Sequence, residues 1–498
     1  MQYLELKPSD IIRGESTTAY IADRGFSPAS YGLNLTKERG VVYFPEVATD
    51  MAGATLTENL IASAKDSDTA NDMYFLGAEG GFYRLNASTF TKDQTGVKTY
   101  ALGTSDLINF GGSGSELMYA TSQTGITQLG LDFASINEEW WTGFTNSYRH
   151  PMEKIEGELF IADGNIIYYW NGASSGIAFT LPTLINVTSL RRHPDGRTLL
   201  AFAAEKKDYS HTVGQGGLVY YCDPNIRDWT REVAIEAQVE GTRLHNGVVY
   251  CTWGRNFGYF TGDGLSVPLK RFDTSTTTYS HSIKSMDDIL ITRDGPYVLA
   301  FGDLGAGNVW WKIYYNGTQN LSIVANKGDN VLLFGGTDGA GAGTLKEVDL
   351  DNSGANGFFK GNRVSFGQDV IIRRVDIYHD ITNAAGTSRF FLYYMNDQDS
   401  LETLVDANYV NQSLKRTRIE TAIQVKGFWN FFLAGDTGTI GFRSIRIAYD
   451  PLPSTTKNHS ESEPIPANRT GETLMLFSRI LKSFLLQSLD LSPSSSSL

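Results

Sequence analysis

Seven short apolar openings recur along the chain at a near-constant interval, and this recurrence constrains the fold more than any other feature. They begin at Met73, Met118, Leu159, Leu199, Val248, Ile289 and Val331, at intervals of 45, 41, 40, 49, 41 and 42 residues. A period of about 40–45 residues built from strand-like units is the pattern of β-propeller blades. Within a unit the pattern is strand, turn, strand. Leu159-Phe160-Ile161-Ala162 leads through Asp163-Gly164-Asn165 into Ile166-Ile167-Tyr168-Tyr169-Trp170, an apolar strand, a turn and an aromatic strand. Ile289-Leu290-Ile291 and Tyr297-Val298-Leu299-Ala300 repeat it across Asp294-Gly295. One hairpin cannot bury both of its faces. Radial stacking of blades does so and leaves only short edges. The expectation is an all-β propeller of about seven blades over residues 61–360, with the first apolar strand of each unit innermost. Residues 1–60 read as a lead-in, of which Val41-Val42-Tyr43-Phe44 is the best strand and the segment expected to close the last blade. The excursions 130–150 and 203–217 are expected as surface loops.

Near residue 360 the period stops. Longer β segments follow over 361–452, such as Arg373-Arg374-Val375-Asp376-Ile377-Tyr378 and Arg443-Ser444-Ile445-Arg446-Ile447, in which polar and apolar residues alternate. About six strands in this span predict a small β-sandwich. Residues 453–470 have a linker composition, rich in Pro, Ser, Thr, Asn and Glu. Leu474, Phe477, Ile480, Leu481, Phe484 and Leu485 then fall at the spacing of a short amphipathic helix over 472–489.

Composition narrows function. The formal net charge is −13, which disfavours double-stranded DNA as a partner. Two cysteines, Cys222 and Cys251, are too few for a disulfide scaffold and read as two buried thiols or a single bridge. The chain shows no apolar leader and no run of about 18 apolar residues, so neither a secretory signal nor a membrane span is expected.

Motifs that carry chemistry are sparse. No nucleophile elbow, zinc-protease signature or phosphate-binding loop is present, and the seven histidines are scattered singly. A glycosidase needs two positioned carboxylates. The adjacent pair Glu138-Glu139 points to opposite faces of a strand and makes no dyad. Asp349, Asp351 and Ser353 offer alternate oxygens like the first half of a calcium loop, but its twelfth position is Lys360, so a plain Asx turn competes with calcium there. Trp140-Trp141 and Trp310-Trp311 are aromatic pairs that could stack on a sugar ring if exposed, or pack between blades.

Val219-Tyr220-Tyr221-Cys222-Asp223-Pro224, followed by Asp228-Trp229, resembles an element of propeller proteins in tailed-bacteriophage virions, of the tail-nozzle and tail-adaptor type. Arg373–Asp380 with Phe390-Phe391-Leu392-Tyr393-Tyr394-Met395-Asn396 resembles the β-sandwich modules that follow such propellers. The resemblance implies a non-enzymatic structural protein of the virion, in the tail or its connector. It further implies assembly in the host cytoplasm, symmetric copies in a particle, and other virion proteins as partners. The competing expectations are a lectin that binds a host-surface glycan and, third, a hydrolase using the mouth of the propeller.

Overall fold

In the computed structural model, the described residues lie within 1–452. Residues 7–28, 206–215, 273–282 and 453–498 are the longest stretches outside them, together with shorter segments between strands. The expected helix at 472–489 and Ser353 therefore lie outside the described residues.

The described residues form seven four-stranded antiparallel blades. Blade 1 is Leu60–Lys65, Met73–Gly77, Gly81–Asn86 and Thr89–Thr95. Blade 2 is Leu107–Phe110, Leu117–Thr121, Gly125–Gly130 and Ile136–Thr142. Blade 3 is Met152–Ile155, Glu158–Asp163, Ile166–Trp170 and Ser175–Thr180. Blade 4 is Ile185–Arg192, Leu199–Glu205, Gly217–Asp223 and Asp228–Ile235. Blade 5 is Gly241–His245, Val248–Trp253, Asn256–Tyr259 and Lys270–Arg271. Blade 6 is Lys284–Met286, Ile289–Asp294, Tyr297–Asp303 and Asn308–Tyr315. Blade 7 takes three strands from one end of the repeat region, Ile323–Gly328, Val331–Thr337 and Gly343–Asp349. Its fourth comes from the other end, Thr49–Leu56. The first strand of each blade touches the first strand of the next, and that of blade 7 returns to blade 1, so the ring is closed.

Three expectations need correction. The apolar openings read from sequence are the second strands of the blades, not the innermost ones. A second strand is covered on both faces by its neighbours, so it appears in sequence as an unbroken apolar run. Met73–Gly77 and Ile289–Asp294 are buried along their whole length. The innermost strands face the ring axis, carry polar residues and escape a search for apolar periodicity. The segment 130–150, expected as a loop, contains Ile136–Thr142, the outer strand of blade 2. Finally, the ring is closed by Thr49–Leu56, with Leu56 opposite Gly343 and Thr49 opposite Glu347. Val42–Tyr43 pairs with Phe442 and Gly441 instead.

The C-terminal strands form two larger sheets, and N-terminal residues complete both. Gln2–Leu6 lies against Ile440–Pro451, which pairs with Val370–Ile381 and, through it, with Leu414–Val425. Ala29–Tyr31 pairs with Gly357–Lys360 at the edge of the sheet that holds Phe431–Thr437, Thr387–Met395 and Leu401–Val410. Val375, Ile377, Ile445 and Ile447 of the first sheet and Leu392 of the second share one buried cluster. That cluster continues into blades 6 and 7 through Ile291, Trp311, Val324 and Phe334. The chain thus passes through the C-terminal sheets, closes the propeller, runs round it and returns to the sheets it started in. Both cysteines are buried free thiols. No helix among the described residues is long and apolar enough to cross a membrane.

Candidate functional site

The inner strands bring polar groups from all seven blades toward the ring axis, and hydrogen bonds run from blade to blade. Asp106, just ahead of the inner strand of blade 2, accepts from the backbone N–H of Met152 in blade 3 (3.3 Å). Lys154 of blade 3 donates to Asn109 of blade 2 (3.1 Å). Arg191 of blade 4 is held on both sides. It donates to Glu153 of blade 3 (2.7 Å) and to the hydroxyl and carbonyl oxygens of Thr242 in blade 5 (3.2 and 2.8 Å). Arg243 of blade 5 donates from Nε to the Ser285 hydroxyl of blade 6 (3.1 Å). Asn326 of blade 7 donates to the Ser285 carbonyl (3.0 Å). Lys284 of blade 6 reaches past blade 7 to the Ser63 carbonyl of blade 1 (2.9 Å). Arg149, ahead of blade 3, bonds the Glu240 carbonyl ahead of blade 5 (3.1 Å).

This lining carries more cation than usable anion. Burial and the nearby Arg243 push the Lys284 ammonium down to about 7, with Asp106 opposing and Arg191 adding to the fall. Burial and the repulsion of Arg191 bring Arg243 down to about 10. Burial raises Asp106 toward its neutral form. Glu153 is committed to Arg191. Glu153, Arg191, Arg243, Lys284, Ser285 and Asn326 are all partly open. Burial also raises Glu240 to about 7 against the pull of Arg149.

The sequence reading missed these residues. A faint signal exists: Lys154, Arg243, Lys284 and Asn326 each stand five positions ahead of an apolar opening. A polar residue recurring at one phase of the repeat marks the inner strand, but only once the opening is known to be the second strand.

The residues singled out in sequence lie elsewhere. Trp140 and Trp141 are half-buried in an aromatic belt between blades 2 and 3. Trp140 packs edge-on against Tyr119 and Trp170 (centroids 5.0 and 5.2 Å), and Trp141 against Tyr168 (5.3 Å). Trp310 and Trp311 are buried at 8% and 1% exposure, which leaves no face for a sugar. Trp310 sits between blades 5 and 6 against Phe257 (4.8 Å) and Phe301 (4.9 Å). Trp310→Ala is expected to cost about 3–5 kcal/mol in chemical denaturation, the scale of a core residue and not of a surface ligand contact. The Asp349 oxygens accept from the Asp351 N–H (2.8 Å) and the Asn352 amide (3.1 Å), while Asp351 accepts from Asn330 (3.0 Å). This is the Asx turn, closed by its own donors. No cluster of three or more His, Cys, Asp or Glu among the described residues is placed to hold a metal ion.

The stretch that carries the virion resemblance forms the outer hairpin of blade 4, where Asp223 faces Asp228 across the turn. Trp229 packs edge-on against Tyr220 (5.3 Å). Arg227, in the left-handed region at φ 56°, reaches back to blade 3. There it pairs with Glu158 (2.5 Å) and lies over the Tyr169 ring (4.3 Å).

A second charged surface lies on the C-terminal sheet, on the face opposite Val375 and Ile377. The buried Asp376 carboxylate is surrounded by Arg374 (3.2 Å), Arg416 (2.6 Å) and Arg418 (3.0 Å). Burial would raise Asp376, but the Arg416 and Arg418 hydrogen bonds outweigh it and hold the group below the usual range. Asp380 is held in the same way by Lys415 and Arg443. Arg446 lies over Tyr3 (4.3 Å).

No family model and no curated protein matches this chain. Solved structures with a similar fold include the Dos1 propeller, at 13% identity and TM-score 0.41 over 62% of this chain and 95% of that one. The WD40 domain of Neurospora crassa Pan2 is similar at 8% identity and TM-score 0.39, over 59% and 89%. A chain of the mitotic checkpoint complex is similar at 12% identity and TM-score 0.39, over 61% and 91%. At these values the likeness is one of fold and carries nothing about function; the chain is an all-β propeller protein.

Proposed function

We propose that this chain is a non-enzymatic structural component of a tailed-phage virion, in the tail or its connector, serving as a rigid platform between neighbouring proteins. The observation that carries the reading is the interlock. N-terminal strands complete blade 7 and both C-terminal sheets, so neither part can separate without breaking backbone ladders in the other. A virion part must transmit load without opening, and these shared ladders tie the repeat region to the C-terminal sheets. The blade-4 hairpin supports the reading twice: it bears the resemblance, and through Arg227 it clamps two blades together.

The arginine-rich sheet face supplies a docking surface for a neighbour that presents carboxylates. Guanidinium groups suit that role because they bind carboxylates in a fixed, two-pronged geometry. Arg416 and Arg418 keep 37% and 47% of their side chains exposed.

The test is mass spectrometry with chemical cross-linking on purified virions encoded by the source of this chain. The expected result is the chain in fixed copy number, with cross-links from Lys415 to other virion proteins. Absence from the particle would remove the proposal, and saturable binding on a glycan array would favour the lectin reading in its place. Arg418→Ala, which leaves Arg374 and Arg416 on the buried Asp376, is expected to reduce incorporation severalfold while leaving the isolated protein folded by circular dichroism.

A further inference from the structure

We propose that the propeller axis is an anion site, in which Lys284 and Arg243 hold a tetrahedral oxyanion of the sulfate or phosphate type.

Three observations converge. First, the two cations face the axis with most of their donors unused. Among the described residues the Lys284 ammonium makes one hydrogen bond, to the Ser63 carbonyl, and Arg243 makes one, from Nε to Ser285. No carboxylate of the described residues pairs with either. An ammonium has three donors and a guanidinium five, so both have donors to offer a ligand.

Second, the local charge is not balanced from within. Arg191 occupies Glu153. The two oxygens of Asp106 already accept from the N–H groups of Leu107 (2.9 Å) and Met152 (3.3 Å). Two like charges held near each other without a counter-charge repel, and an incoming anion relieves that cost. Burial first, and then the repulsion of Arg243, lower the proton affinity of Lys284.

Third, the hydroxyl of Ser63 has no hydrogen-bond partner among the described residues, although Ser63 is only 6% exposed. It belongs to the residue whose carbonyl anchors Lys284. A buried hydroxyl without a partner is rare unless something outside the protein fills the role. A tetrahedral oxyanion offers acceptors in several directions, which suits the different donor types of an ammonium on blade 6, a guanidinium on blade 5 and a hydroxyl on blade 1. A single halide would leave the hydroxyl and the fork of the arginine poorly matched.

Titration calorimetry with sodium sulfate, exchanged against sodium chloride at constant ionic strength, tests the site. The full chain is expected to bind one sulfate saturably. Its melting midpoint should rise with sulfate as expected for a ligand that binds only the folded state. Sulfate also stabilises proteins generally by exclusion from their surface, so variants decide the matter. Lys284→Met and Arg243→Gln are each expected to weaken binding at least tenfold and to lose the saturable part of the shift. Lys284→Arg should retain binding, and Ser63→Val should weaken it severalfold even if Lys284→Met does not fold. Inorganic phosphate is expected to replace sulfate. Adenosine monophosphate, titrated in parallel, distinguishes a free anion from a phosphate carried on a larger molecule. Absence of saturable heat with the wild-type chain, or an equal sulfate response in wild type and folded Lys284→Met, would overturn the site.

Discussion

A chain lacking residues 1–56 is expected to show no cooperative melting transition in scanning calorimetry. The deletion removes the fourth strand of blade 7, with the buried side chains of Met51 and Leu56. It also removes Val42 and Phe44 from the largest core cluster and the edge strands Gln2–Leu6 and Ala29–Tyr31 from the two C-terminal sheets. Each large buried apolar side chain is worth about 1.5–3 kcal/mol. Four of them together already approach the 5–15 kcal/mol that separates folded from unfolded in an ordinary domain. The new edges left on Gly343–Asp349 and Ile440–Pro451 would also offer unpaired backbone to other chains. Aggregation detected by light scattering is the expected companion. A truncated chain that melted cooperatively within a few degrees of the full one would show that blade 7 is stable with three strands.

The second large effect is expected at Glu58, in the short link between the closing strand and the first inner strand. Its buried carboxylate accepts from the Glu79 N–H (2.5 Å), the Gly81 N–H (3.3 Å), the Tyr83 hydroxyl (2.8 Å) and the Lys92 ammonium (2.9 Å). The carboxyl group packs where a β-carbon on Gly77 or Gly81 would have to sit, which explains both glycines. Burial alone would raise the carboxyl, but Lys92, Tyr83 and the two backbone donors outweigh it and lower it below 4.5. The proton is held less tightly in the folded chain than in the unfolded one. The stabilisation is therefore complete above about pH 4.5 and lost as the pH falls through the lower folded value. Glu58→Ala leaves three donors facing a void and a lysine without its partner. The expected cost is about 3–5 kcal/mol at pH 7, and the gap between variant and wild type should narrow below pH 4. Denaturant melts at pH 7 and pH 3.5 measure both quantities. A gap that does not change with pH would mean that packing, and not charge, gives Glu58 its effect.

The repeat was legible because second strands are buried on both faces and announce themselves as apolar runs. What stayed hidden has physical causes. Thr49–Leu56 reads Thr-Asp-Met-Ala-Gly-Ala-Thr-Leu, with low strand propensity and little hydrophobicity. It becomes a strand because Gly343–Asp349 offers it a ladder. Val42–Tyr43 had the stronger local signal and went to another sheet, since pairing partners far away in sequence leave no trace in local pattern. The alternating stretches around Val375 and Ile445 were legible as half-buried strands, and their arginines do occupy the face opposite the core. The axis was the least legible part. Arg191, Arg243 and Lys284 lie in three different blades, and nothing in a linear reading marks Lys284 as reaching across the ring to Ser63.

The closing ladder has a consequence for synthesis. Residues 49–56 leave the ribosome nearly 290 positions before Gly343, their neighbour in the finished sheet, and Gln2–Leu6 wait longer still for Ile440–Pro451. Contacts of such sequence separation form slowly because the intervening loop must first be brought together. The nascent chain must therefore carry its leading strands unpaired through most of translation. Blades 1 to 6 can assemble as they emerge, but the ring cannot lock until its last residues are made, and premature release would yield an open arc with sticky ends.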